Sequence, residues 1–326
     1  MTDQRSFESL LDDYLTYFKE HPINGTTELL YEPANYILSL GGKRVRPLLC
    51  LMGYRLFQDN TDTALPLAHA LEVFHNFTLI HDDIIDQAPL RRGKETAHIR
   101  WNVNQAILTG DVMLVKAYEL FTDLKTSDSN KIKLIRGFNQ MADEVCQGQQ
   151  LDWEFSSMPH VSESDYIEMI RLKTSVLLGF CLYAGAVLAG ASDREAGILY
   201  EYGVLNGISF QIIDDILDAF GDADVGKQPG GDILENKKTI LLIELLHRVE
   251  GEDVMAVNHL LVDDQIQSEQ KVERMLQFYR EYEIEAYARE RADQFRHKAE
   301  SLIQQLESVD TTQLKTFMAA LHQRMK

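Results

Sequence analysis

Residues 70–86 read ALEVFHNFTLIHDDIID. Leu71, Phe74, Phe77 and Ile80 recur at three-residue steps, and Pro66 lies just upstream, where a first helical turn tolerates it. This spacing predicts a helix that is apolar on one side and ends in Asp82, Asp83 and Asp86. Residues 198–220, ILYEYGVLNGISFQIIDDILDAF, repeat the design with Asp214, Asp215 and Asp218. Residues 166–180 (YIEMIRLKTSVLLGF) keep the same helical period, and the tail from about Gln265 to Lys326 mixes charges over an apolar stripe. No alternating β-branched run bounded by turns signals a strand, and no short internal period signals a solenoid. The expected fold is therefore all-α, one large domain over residues 1–326. Its loops fall at the breakers of residues 24–33, 41–47, 88–95 and 220–232.

Composition narrows the partners. A net charge of -19 argues against nucleic acid, whose binding needs dense Lys and Arg. With 45% hydrophobic and 25% charged residues the chain reads as globular, not disordered. Cys50, Cys146 and Cys181 are scattered and form no CxxC pair, which fits a reducing, cytoplasmic setting and gives no zinc signal. The first residues, MTDQRSFESLLDDYL, carry acids where a secretion signal needs basic and then apolar residues. One stretch, residues 174–192 (TSVLLGFCLYAGAVLAGAS), is uncharged and approaches the roughly 20 residues of a membrane span. Its Gly and Ala content favours a buried core helix that packs closely on its neighbours.

The acids come in two DDxxD sets. At about 100° per residue, Asp82 and Asp86 lie about 40° apart, one turn from each other. Like charges so placed disfavour a helix slightly. A solvated acidic surface is the plain explanation. It is weakened by Ile84, Ile85, Ile212, Ile213, Ile216 and Leu217, which surround the acids with apolar residues. A hard divalent cation resolves the cost, because Mg²⁺ takes one or two carboxylates together with waters and substrate phosphates. Basic clusters stand close by in sequence: Lys43, Arg44 and Arg46 in GGKRVRP, and Arg91, Arg92 and Lys94 in RRGK. Arg forks and Lys point charges suit phosphate oxygens. The ligand implied is a polyphosphate whose counter-charge is split between metal and arginine.

In chain order, GGKRVRP (41–47), HNFTLIHDDIIDQAPLRRGKETAH (75–98), LKTS (172–175), FQIIDDILD (210–218) and GKQPGGDILENKKT (226–239) resemble the trans-type polyprenyl diphosphate synthases. These enzymes extend an allylic diphosphate with isopentenyl diphosphate. The resemblance implies a helical bundle with a central cavity of the isoprenoid synthase type, a homodimer, and a Mg²⁺ cluster of about three ions. By position, Lys43, Arg46, His75 and Arg92 match ligands of isopentenyl diphosphate, and Arg91 a ligand of the allylic diphosphate. Asp82 and Asp86 match metal ligands with Asp83 beside them. Asp214 matches a metal ligand supported by Asp215 and Asp218, partly through water. Lys173, Thr174, Gln211, Lys227 and Lys237 match the allylic side of the site. On spacing alone His75 reads as a core histidine, Gln211 as an ordinary helix residue, Lys173 and Thr174 as a helix end, and Lys227 and Lys237 as solvated. One departure is Asn236, where the family loop has Gly before the lysine. Asn tolerates left-handed angles better than most residues.

The chemistry so implied is ionisation, condensation and proton loss. Arg91, Lys173 and Lys227 would stabilise the departing diphosphate, and oxygen dipoles near Lys173, Thr174 and Gln211 the allyl cation. Residues 221–232 are the candidate lid against water. The released diphosphate would take the final proton. Phe77 and Thr78, five and four residues before Asp82, with Phe74 one turn deeper, are the candidate floor of the product tunnel. That pattern resembles short-chain synthases making geranylgeranyl diphosphate (C20), with farnesyl diphosphate (C15) as the alternative. The plain alternative for both phenylalanines is core packing. A non-catalytic partner subunit is disfavoured because both acidic motifs are intact. A terpene cyclase is disfavoured by the GGKRVRP segment, and a bare interaction protein leaves six carboxylates unexplained.

Overall fold

A computed structural model describes residues 7–221, 230–263 and 265–323. These are helical almost throughout. In order they form α1 (Phe7–Glu20), α2 (Glu28–Ser39), α3 (Val45–Arg55), α4 (Leu65–Ile85), α5 (Ala97–Arg100), α6 (Val103–Thr122), α7 (Asp128–Phe155) and α8 (Glu163–Ile170). A π-helical turn, Arg171–Ser175, leads into α9 (Val176–Leu188). There follow α10 (Asp193–Phe220), α11 (Gly231–Leu234), α12 (Ile240–Arg248), α13 (Glu252–Val262), α14 (Ser268–Glu281), α15 (Ile284–Ile303) and α16 (Thr312–Gln323). The strands among the described residues are β1 (Leu90–Arg91) and β2 (Lys94–Glu95), an antiparallel pair with Leu90 opposite Glu95. This hairpin replaces what the sequence read as a loop. Its turn is made by Arg92 and Gly93, both at positive φ.

The chain divides into two compact units. One runs up to Gln140 and includes Phe180–Tyr200 and Leu306–Leu314. The other comprises Met141–Gly179, Glu201–Gln305 and the chain from Lys315 onward. The first unit is organised on α4, which packs chiefly on α6 and α3. Leu67, Ala68, Leu71, Val73 and Phe74 are buried along it, and each large apolar side chain so placed contributes about 1.5–3 kcal/mol. Glycines set the spacing of α3 and the second half of α9. A Cβ at Gly185 would strike the Cys50 carbonyl oxygen, and one at Gly53 the Leu182 carbonyl oxygen. The helical run Glu163–Leu188 is long and apolar enough to cross a membrane by length and composition. However, 78% of its apolar window is buried in the protein, as expected of a close-packed core helix. Cys50 and Cys181 are buried free thiols, and Cys146 is an exposed one.

In the second unit α10 carries the other DDxxD at its C-terminal end. Glu163 at the start of α8 is held by α15. It accepts from Arg291 Nε at 2.6 Å, with Arg291 Nη2 2.5 Å away, and also from the Tyr287 hydroxyl. Asp215 and Tyr279 are both buried in this unit.

Candidate active site

The first acidic set sits where α4 ends. Asp86 caps the helix, its N–H donating to the Asp82 carbonyl at 2.9 Å. Asp82 is half-buried and Asp86 exposed. The negative pole of the α4 dipole lies at this end and favours a cation there. Asp83 points inward, its side chain only 1% exposed. The β1–β2 hairpin brings Arg91 back onto it. Arg91 Nε lies 2.9 Å from both Asp83 oxygens, and Nη2 2.7 Å from Oδ1. Burial raises the Asp83 pKa, and the Arg91 bond opposes that rise. Asp83 is thus committed to holding Arg91.

Arg92 turns the other way. Its backbone is left-handed (φ 54), and its guanidinium donates to the Gly41 carbonyl. Gly42 has φ +118, a conformation that favours glycine, and the Arg92 guanidinium lies against it, 2.7 Å from where a Cβ would stand. The two basic loops read from the sequence therefore meet. Within GGKRVRP the residues divide. Arg44 is buried, ion-paired with Glu72, and donates to the Leu38 carbonyl at 2.6 Å, a structural role. Lys43 is exposed. Arg46 is half-buried, and its Nε is buried with no hydrogen-bond partner. A buried guanidinium N–H with nothing to donate to calls for an anion. Burial, with the charges of Arg46, Arg92 and Arg91, presses His75 well below the ordinary histidine pKa. A neutral imidazole still offers one ring N–H as a donor.

Below these groups lies an aromatic column. Phe77 meets His81 edge-on at 4.9 Å and Phe74 at 5.5 Å. Phe74, 1% exposed, meets Phe138 of α7 edge-on at 5.0 Å. Thr78 is half-buried and donates to the His75 carbonyl at 2.8 Å.

In the second unit the π turn carries two of the residues expected on the allylic side. Lys173 and Thr174 lie within Arg171–Ser175. Such turns insert one extra residue and recur at functional sites. Lys173 Nζ donates to Asp152 at 2.6 Å. The Thr174 hydroxyl donates to Gln211 Oε1 at 3.3 Å. Asp214 is exposed, while Asp215 is 6% exposed and accepts from the Tyr166 hydroxyl at 2.6 Å and from Gln211 Nε2 at 3.0 Å. Burial, then the Asp232 charge, raises the Asp215 pKa to about 7 against the opposing pull of these two donors. Asp218 accepts the Asp232 N–H at 2.8 Å, and its carbonyl accepts the Gly230 N–H at 2.6 Å. Asp232 lies 3.6 Å from Lys237 Nζ. Asn236 takes the left-handed conformation expected of it (φ 53), with its amide on the Leu261 carbonyl at 3.0 Å. Lys227, and most of the candidate lid, lie outside the described residues.

The first unit thus gathers Lys43, Arg46, His75, Asp82, Asp83, Asp86, Arg91, Arg92 and the floor residues, and the second gathers Lys173, Thr174, Gln211, Asp214, Asp215, Asp218 and Lys237. Sequence reading missed Asp152, Tyr166, Glu72 and Phe138. Gly148 and Asp152, one helical turn apart in QGQQLDW, were the available sign of a helix pressed against something polar. Among the described residues no three His, Cys, Asp or Glu side chains converge on one point. The donors present are carboxylates in the final turns of two helices, Asp86 and Asp214 the exposed ones. This all-oxygen set fits Mg²⁺, whose shell is completed by water and phosphate.

A family profile described as polyprenyl synthetase matches residues 27–279. The chain belongs to the polyprenyl synthetase family. This polyprenyl synthetase is 35% identical over 294 residues to the geranylgeranyl pyrophosphate synthase of Geoglobus acetivorans, covering 90% of this chain and 89% of that one. It superimposes on a crystal structure of a geranylgeranyl pyrophosphate synthase with a TM-score of 0.92 at 39% identity, covering 99% of both chains. It is also similar to the polyprenyl synthase of Caulobacter crescentus, solved in complex with calcium and isoprenyl diphosphate. There the TM-score is 0.83 at 27% identity, with 94% of this chain and 92% of that one covered. The all-α class read from the sequence is the fold of these relatives.

Proposed function

We propose that this polyprenyl synthetase condenses isopentenyl diphosphate with an allylic diphosphate to give geranylgeranyl diphosphate. The observation that carries the reading is the pair of DDxxD helix ends. Each keeps its middle aspartate inside on a polar partner, Asp83 on Arg91 and Asp215 on Tyr166 and Gln211. Of the outer acids, Asp86 and Asp214 are exposed and Asp82 and Asp218 half-buried. Relatives named for the C20 product, at 35–40% identity, favour it over the C15 alternative.

In this reading Asp82, Asp86 and Asp214 would hold Mg²⁺, and Asp218 acts through its grip on Asp232. Mg²⁺ held there would supply positive charge against the charge that builds on the departing diphosphate. Arg91, fixed by Asp83, is a ligand of the allylic diphosphate, and by their place in the family motifs so are Lys173, Lys227 and Lys237. Arg46 fills its empty Nε with a diphosphate oxygen of isopentenyl diphosphate, beside Lys43, Arg92 and the neutral N–H of His75. Thr174 and Gln211 turn oxygens toward the cation. Phe77, backed by Phe74, stops the growing chain. Ile99, Val103, Ile107, Leu108 and Val115 on α5 and α6 are exposed large apolar residues, which supports a homodimer. The scattered free thiols support action in the cytoplasm.

The test is a product assay. Purified protein receives Mg²⁺, labelled isopentenyl diphosphate and, separately, C5, C10 and C15 allylic primers. Accumulation at C20 is expected. A stop at C15 or a run beyond C20 overturns the product assignment, and no elongation from any primer by folded protein overturns the enzyme assignment.

A further inference from the structure

We propose that Tyr166 is a positioning residue for the allylic cation, acting through Asp215 on Gln211 and Thr174. The inference rests on the prenyltransferase reading above. Three hydrogen bonds run in series: Tyr166 hydroxyl to Asp215 Oδ2 at 2.6 Å, Gln211 Nε2 to Asp215 Oδ1 at 3.0 Å, and Thr174 hydroxyl to Gln211 Oε1 at 3.3 Å. Tyr166 is 1% exposed. None of the motifs read from the sequence includes it.

The direction of each bond matters. Asp215 Oδ1 accepts from the Gln211 NH₂, and this bond turns that NH₂ inward. The Gln211 carbonyl then faces Thr174, and the Thr174 proton is spent on that carbonyl. Toward a ligand the pair is left with oxygen lone pairs, the negative ends of two dipoles. A Gln211 amide turned over would offer N–H₂ instead and repel a cation. Tyr166 secures the other oxygen of Asp215. Without that donor the carboxylate is under-satisfied in a buried place and rotates toward whatever donor it can reach, releasing Gln211. The Tyr166 ring fills core space, but its hydroxyl sets the polarity presented to the cation.

Tyr166→Phe keeps the ring and removes only that hydroxyl. The full-length protein with Mg²⁺ is titrated calorimetrically with two unreactive ligands. One is an allylic diphosphate analogue whose bridging oxygen is replaced by sulfur. The other carries a protonated amine where the cationic carbon forms. The variant is expected to bind the ammonium analogue about tenfold more weakly, the scale of one charge-linked hydrogen bond, and the sulfur analogue as wild type does. In turnover, kcat falls while KM for isopentenyl diphosphate holds. Tyr202→Phe, another buried tyrosine of the same unit, retains wild-type affinity for both ligands. If Tyr166→Phe fails to fold, Asp215→Ala removes the buried carboxylate together with its bonds and is expected to show the same selective loss. Equal weakening of both ligands, or of neither, overturns the inference. Wild-type protein that binds neither ligand overturns the prenyltransferase reading itself.

Discussion

Gly148→Ala tests whether the π turn sets the reaction rate. Gly148 lies on α7 against the turn that carries Lys173. A Cβ there would lie 2.6 Å from the Lys173 Cα and 2.7 Å from the Leu172 carbonyl carbon, and closer still to the Lys173 amide nitrogen. All three are backbone atoms, so no side chain can swing aside. Ordinary contact begins at 3.4 Å, so helix and turn must part by about 1 Å. Overpacking of this kind costs about 1–3 kcal/mol of stability, and a 1 Å displacement of a catalytic group costs about a hundredfold in rate. The variant is therefore expected to lose a few degrees of melting temperature and about two orders of magnitude in kcat. KM for isopentenyl diphosphate should hold, because Lys43, Arg46 and His75 belong to the other unit. Gly197→Ala is the matched control. It sits inside α10 with nothing within 4 Å of its Cβ position and is expected to be neutral or stabilising by up to about 1 kcal/mol. Steady-state kinetics with each substrate varied in turn, beside thermal melts, reads all of this. A Gly148→Ala enzyme of wild-type kcat would refute the claim that the turn's position governs Lys173 and Thr174.

Phe77→Ala should move product length beyond C20, with Phe74 and Phe138 as the next barrier, and Phe77→Ala/Phe74→Ala should run longer still. Chromatography of the dephosphorylated products decides, and an unchanged C20 peak removes Phe77 from the floor. Asp83→Asn should leave Arg91 without its bidentate partner, cost about 1–3 kcal/mol in urea melts, and raise KM for the allylic primer. An unchanged KM would deny Arg91 its role. His69 is 2% exposed among Tyr14, Tyr17 and Phe18, and burial lowers its pKa to about 4. Between pH 6.5 and about 4 the unfolded chain binds the proton and the folded chain does not. His69 thus withdraws up to about 3 kcal/mol of stability as pH falls through that window. In His69→Leu the urea midpoints at pH 7 and pH 5 should draw together, and an unaltered pH slope would contradict the assignment.

The helices around both DDxxD sets were legible because their apolar residues keep a strict three- and four-residue rhythm. The left-handed Asn236 was legible because one residue stood where the family loop has glycine. What escaped was set by contacts distant in sequence. Arg44 looked like a third phosphate ligand in GGKRVRP, but Glu72, on the neighbouring α4, claims it. Arg91 and Arg92 look equivalent side by side, yet a hairpin with positive φ at Arg92 sends one to Asp83 and the other to Gly41. The π turn left no compositional trace in RLKTS. Its visible signs were the glycines packed against it, Gly148 on α7 and Gly207 on α10.

The middle aspartates bear on why a DDxxD is not simply three metal ligands. In both motifs the second acid turns into the protein, Asp83 at 1% side-chain exposure and Asp215 at 6% overall. Both have their pKa raised, with burial as the largest cause. An unpartnered carboxylate in either place would be costly, so each recruits donors, and the donors differ in kind. Asp83 recruits a guanidinium and so fixes a positive charge. Asp215 recruits a phenol and an amide and so fixes the orientation of neutral dipoles. A departing diphosphate needs the first and an allylic cation the second. In the proposed reaction the two copies of one spacing therefore divide the work by what their middle residue holds.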